Sequence, residues 1–105
     1  VAEREWSETD SKDDAVATAT HAAVTGKQYR ATHVQASFSA APSSPVLLQI
    51  KDGTTVVWEG YVALAEGIDV SLAIPGTLGN LMSATLAASG TGGRVGKVNI
   101  QGTEF

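Results

Sequence analysis

Hydrophobic and polar positions alternate along most of this chain with the two-residue period of β-strands. The clearest run is Ile68 to Ile74, in which Ile68, Val70, Leu72 and Ile74 share one face and Asp69, Ser71 and Ala73 the other. Gln28 to Ser39 behaves the same way, with Val34, Ala36 and Phe38 opposed to His33, Gln35 and Ser37. Val46, Leu48 and Ile50 alternate with Leu47, Gln49 and Lys51. In Thr54 to Tyr61 the pattern sets Val56 and Trp58 against Val57, Glu59 and Tyr61, with Trp58 read as core. Ala15 to Val24 is rich in alanine, but Val16, Thr18 and Thr20 favour a strand over a helix.

The breaks between these runs are turn chemistry. Thr25-Gly26-Lys27, the Ala40 to Pro45 loop with its two prolines, Pro75-Gly76 and Thr77 to Asn80 each end a run. Asp52-Gly53 between two alternating runs predicts a hairpin on a type I′ turn. Leu81 to Ser89 and Arg94 to Gln101 flank a glycine-rich turn, which predicts a second hairpin closing the edge of the sheet structure.

That makes about seven strands, with an eighth available from the N-terminus, too many for one flat sheet to bury. The expected fold is all-β: a single antiparallel β-sandwich of jelly-roll type, with about 7–8 strands and an extended N-terminal arm. The expected division is an arm over residues 1–14 and a sandwich over residues 15–105. Apolar residues make up 43% of the chain, and many are Ala and Val, which suits closely packed sheets or closely packed subunits.

Charge sharpens the division. Of the net −4, all four negatives fall in residues 1–14, while the remainder carries five acids and five bases. An acidic tail on a neutral body argues against nucleic-acid binding, which needs a basic face. Two readings of the tail stay open: a solvated terminus, or an arm that orders on a partner. Trp6 favours the arm, because a lone indole among charges is costly to leave in water. An extended segment of this length reaches roughly 45 Å. Its partner-contacting residues would be Glu5, Trp6, Glu8 and Asp10, and its truncation would weaken attachment while leaving the sandwich folded.

Chemistry is sparse. There is no cysteine, so disulfides and thiolate metal sites are excluded. His21 and His33 stand alone in their strands, and Asp52, Glu59, Glu66, Asp69 and Glu104 are scattered, so no metal site, cofactor or carboxylate pair is expected. No Gly-x-Ser-x-Gly elbow occurs. Gly90 to Gly96 lacks the phosphate-loop spacing and is followed by a strand, so its glycines read as turn geometry. The expectation is that the protein is not an enzyme. No apolar run approaches the roughly 18 residues of a membrane span, and no membrane partner is expected. Leu47, Val57 and Tyr61 form a second apolar face, which suggests contact with a partner chain.

The order of motifs resembles a group of small structural proteins of tailed bacteriophages. The resemblance is carried by Gly26-Lys27, by Ser37-Phe38-Ser39-Ala40-Ala41-Pro42 and by Val46 to Gly53. Pro75-Gly76, Gly79 to Gly90 and Gly96-Lys97-Val98-Asn99-Ile100-Gln101-Gly102 complete it. It covers residues 15–103 and rests on turn and strand grammar. It implies a jelly-roll-like sandwich that trimerises, without catalytic residues. It also implies a place on the virion as a capsid decoration or cement protein, with copies of itself and the major capsid protein as partners. The alternative is a tail- or fibre-associated module that recognises a host surface or carbohydrate, with outward aromatics clustered at one end of the sandwich.

Overall fold

The computed structural model describes residues 4–90 and 92–104. They form eight strands: β1 (Arg4–Asp13), β2 (Ala17–His21), β3 (Tyr29–Phe38), β4 (Val46–Asp52), β5 (Thr55–Val62), β6 (Ile68–Pro75), β7 (Met82–Leu86) and β8 (Val95–Glu104). Every pairing is antiparallel. The strands make two four-stranded sheets, ordered β1-β8-β3-β6 and β2-β7-β4-β5. Six of the seven connections pass from one sheet to the other; only β4 to β5 is a hairpin. This is the topology of a jelly roll.

Two expectations give way here. Residues 4–13 are not a free arm. They are edge strand β1, in register with β8 from Arg4 opposite Glu104 to Asp13 opposite Val95. The N-terminal segment can stay in the fold because its alternate residues have somewhere to go: Trp6 is only 8% exposed. The second correction concerns Leu81 to Gly102, which is not a hairpin. β7 lies between β2 and β4, whereas β8 lies between β1 and β3, inside the other sheet rather than at an edge. The glycines between them do turn the chain, with Gly90 at φ 82° and Gly93 at φ 81°. The turn carries it across the sandwich instead of back along the same sheet.

The Asp52-Gly53 hairpin forms, with a different turn. Asp52 pairs with Thr55, so Gly53 and Thr54 are the loop, and of the two only Gly53 has positive φ (62°). That is the type II′ pattern, with glycine first. A register shift between Ile50 and Lys51 then puts Ile50 opposite Trp58 and Lys51 opposite Val56. Val57 is therefore the extra residue of a bulge. The bulge sends Val57 toward the core with Trp58 and leaves Val56 outside, the reverse of strict alternation.

The core lies between the sheets. Val34, Ala36, Val98 and Ile100 from the first sheet meet Leu48, Ile50, Ala84 and Leu86 from the second, all at 0–1% exposure. Ala17, Ala19 and Ala31 are also buried, at 0–2% exposure, and let the sheets approach closely. At one end, Asp52 holds the β6–β7 connection: the Thr77 amide and hydroxyl both donate to its Oδ2, at 3.0 and 2.7 Å. Burial pushes the Asp52 carboxyl up, but the Thr77 and Asn80 hydrogen bonds outweigh it and hold its pKa below the ordinary value. A carboxyl depressed by folding contributes stability that is complete above the unfolded value of about 3.9 and is lost as pH falls through the folded one. The stability gap between the wild type and Asp52→Asn in urea melts is therefore expected to shrink as pH drops below about 4. A gap that does not change with pH would rule this out.

Candidate functional site

The chain offers three surfaces of different character, and the closed side of the sandwich explains most of the N-terminal acids. Here β1 and β2, the edges of the two sheets, face each other. Trp6 stacks on His21 with ring centroids 4.5 Å apart and planes within 2°, and Tyr29 packs tilted against both. His21 Nδ1 lies 2.8 Å from Glu8 Oε2, and the Thr18 amide donates to Asp10 Oδ2 at 3.0 Å. Lys12 and the Thr18 amide hold the Asp10 carboxyl below its ordinary pKa. Tyr29 donates its hydroxyl to the Ala22 carbonyl at 2.5 Å, and burial, with Glu104 adding to it, pushes that hydroxyl's pKa up. The Gly93 and Gly90 amides donate to Asp13 and Asp14, each at 2.9 Å, which fastens the β7–β8 connection to the end of β1.

Of the four residues expected to meet a partner, Trp6, Glu8 and Asp10 thus make contacts within their own chain. Glu5 is exposed, on the outward face of β1. The sequence shows acids and an aromatic in one segment and a histidine in another. Nothing local says that Glu8 and His21, thirteen residues apart, would meet across the edge of a sandwich.

The second surface is the outer face of the first sheet. Ser7, Thr9, Asn99 and Gln101 project there, and Asn99 Nδ2 donates to Ser7 Oγ, the Glu8 carbonyl and Thr9 Oγ1 at 2.8–3.0 Å. A depression of about 570 Å³ opens on this face, lined by Glu5, Trp6, Ser7, Thr32, Gln101, Gly102 and Thr103. Its lining is mostly hydroxyl and amide, and it contains no pair of facing carboxylates. Further along, His33 pairs with Asp69 of β6. The two histidines, isolated in sequence, each find a carboxylate, and they lie in different sheets. Among the described residues no group of three His, Asp or Glu side chains is placed to hold a metal ion.

The third surface is the side opposite β1 and β2, where edge strands β5 and β6 leave the sandwich open. The inward row of β6 (Ile68, Val70, Leu72 and Ile74) is only half-buried, as are Val57 and Trp58 of β5. On the adjoining outer face, Leu47 and Tyr61 are directly opposed in register, and Tyr61 is 65% exposed. The second apolar face read from the sequence therefore keeps Leu47 and Tyr61 and exchanges Val57 for Val56. Tyr61 is the one exposed aromatic among the described residues.

This architecture defines a jelly-roll β-sandwich, and the comparisons agree at that level. No protein-family model matches the chain, and no curated protein matches it in sequence. Solved structures do match in fold. A chain of the acid-stable capsid structure of Helicobacter pylori bacteriophage KHP30 is 9% identical, covers 99% of this chain and 98% of its own length, and superposes with a TM-score of 0.60. The CBM36-1 domain of a multidomain xylanase from the hindgut metagenome of Trinervitermes trinervoides is 8% identical. It matches 90% of this chain and 74% of its own length, with a TM-score of 0.50. At such identities the likeness is one of fold. The neighbours thus include both a phage capsid chain and a carbohydrate-binding module.

Proposed function

We propose that this chain is a structural protein of a tailed-bacteriophage virion. In this reading it is a capsid decoration or cement protein that acts as a homotrimer against the major capsid protein. The observation that carries the reading is the complete jelly roll built from almost the whole chain. It is reciprocal, nearly end to end, with the chain from the phage capsid structure. The surfaces suit an adhesive role better than a catalytic one: a hydroxyl- and amide-rich face, an open apolar side, and carboxylates committed to hydrogen bonds within the fold. Cementing by such a protein comes from buried area multiplied by the number of copies, so modest single contacts add up to firm attachment.

Immunogold labelling of intact virions of the encoding phage tests this. Label distributed over the head is expected. Label confined to the tail would replace the proposal with the tail-module reading, and absence from purified virions would remove both.

A further inference from the structure

We propose that the open side between β5 and β6 is the surface through which the chain associates with itself, β5 of one copy lying beside β6 of the next. This rests on the homotrimer reading above and specifies its interface. The two lateral sides of the sandwich are built in opposite ways. The β1–β2 side is closed by the Trp6–His21 stack and by hydrogen bonds that the Glu8 and Asp10 carboxylates accept. Its edge strand β1 carries six charged residues in ten, the kind of edge that discourages further strand pairing. β5 and β6 carry one charge each, Glu59 and Asp69, and no lysine or arginine. Both charges already have partners, Glu59 with Gln49 at 3.3 Å and Asp69 with His33. Proline enters only as the last residue of β6.

Among the described residues each of these strands therefore offers one backbone edge outside any pairing, interrupted on β5 by the bulge at Val57, beside an apolar row that its own fold leaves half-covered. On β3, the neighbour of β6, the corresponding inward residues Val34 and Ala36 are 0% and 1% exposed. Trp58 lies over Gly60, where a Cβ would sit 2.7 Å from its Cη2, so the indole lies along β5 within the opening.

A second copy meets both needs at once. It brings an edge strand of matching length, since β5 and β6 each span eight residues, and an apolar row of the same kind. β5 and β6 are different patches, so joining one to the other is a head-to-tail contact, which closes when copies are arranged in a ring. With three openings turned toward a common axis, each β5 meets the next β6, and Trp58, Ile68, Val70, Leu72 and Ile74 become one shared core. Val56 and Tyr61, exposed on the outer face of β5, lie at its rim.

The test uses the full chain labelled with 5-fluorotryptophan, whose two ¹⁹F resonances are assigned by Trp58→Phe. Sedimentation is followed over a dilution series alongside the spectra. The expected result is a trimer whose dissociation moves the Trp58 resonance and leaves that of Trp6 in place. Leu72→Lys should lower the sedimenting mass about threefold while the far-ultraviolet circular dichroism stays native. If that variant fails to fold, the Trp58 shift in the wild type decides alone. A trimer that dissociates without moving Trp58 overturns this inference and leaves the decoration reading standing. A monomer at all concentrations overturns the inference and the homotrimer with it. Labelling of the virion head is read independently of both.

Discussion

Removing residues 1–14 is expected to unfold the protein, not to trim a dispensable arm. The deletion strips β1 from β8 along its whole length and uncovers the inner ends of both sheets at His21 and Tyr29. It also takes away the carboxylates that receive the Gly90 and Gly93 amides. The indole alone is a large loss, since truncating a buried Trp to Ala costs about 3–5 kcal/mol. A domain of this size commonly has only about 5–15 kcal/mol to lose. Trp6→Ala should therefore fold with a urea midpoint far below the wild type, and the truncated chain should show no cooperative transition at 25 °C. A truncated chain with native circular dichroism and a sharp melt would show that β1 is an accessory and not a structural strand. This result matters for the proposed function as well, because loss of shell binding on truncation would then report unfolding and not the loss of a contact.

Gly102→Ala is expected to be among the most damaging single-atom changes in the chain. Gly102 sits on β8 opposite Trp6, facing inward beneath the indole. A methyl group there would lie 2.5 Å from Trp6 Cζ2 and 2.7 Å from Cε2, and would also press on the Arg30 carbonyl oxygen of β3. The indole and the β3 backbone would both have to move. Overpacking of this kind costs about 1–3 kcal/mol and sometimes more, and rigid obstacles on two sides put Gly102→Ala at the upper end. Gly92→Ala is the control: nothing lies within 4 Å of its Cβ position, and a change within about 0.5 kcal/mol is expected. Adding Trp6→Phe to Gly102→Ala should recover part of the loss through the indole contact but none through the Arg30 carbonyl. If Gly102→Ala melts like the wild type, the close packing of Trp6 on β8 is disproved.

Much of the fold was legible in the sequence because burial on a strand has a period of two, and that period is written locally. Val34, Ala36 and Phe38 do point inward, and His33, Gln35 and Ser37 outward. Ile68 to Ile74 alternates as read. The exception in β5 has a local cause, a single bulge at Val57 that no residue type announces. The interaction surfaces were less legible. Trp6 stands out in an acidic segment, but its partner His21 lies fifteen residues on, in the other sheet, and an acid that will accept a backbone amide looks the same in sequence as one that will face solvent.

Composition and alternation alone determined that this chain is an all-β sandwich with small core residues, where most of its strands after the N-terminal segment run, and which face of most of them is buried. Only the tertiary structure decided which strands are neighbours. A glycine-rich connection such as 87–94 can return a strand along its own sheet or carry it across to the other. Local turn preferences are compatible with both, and the choice is made by which apolar faces and backbone edges are satisfied together. That non-local balance placed β8 inside the first sheet, drew β1 in beside it through Trp6, closed one side of the sandwich and left the other open.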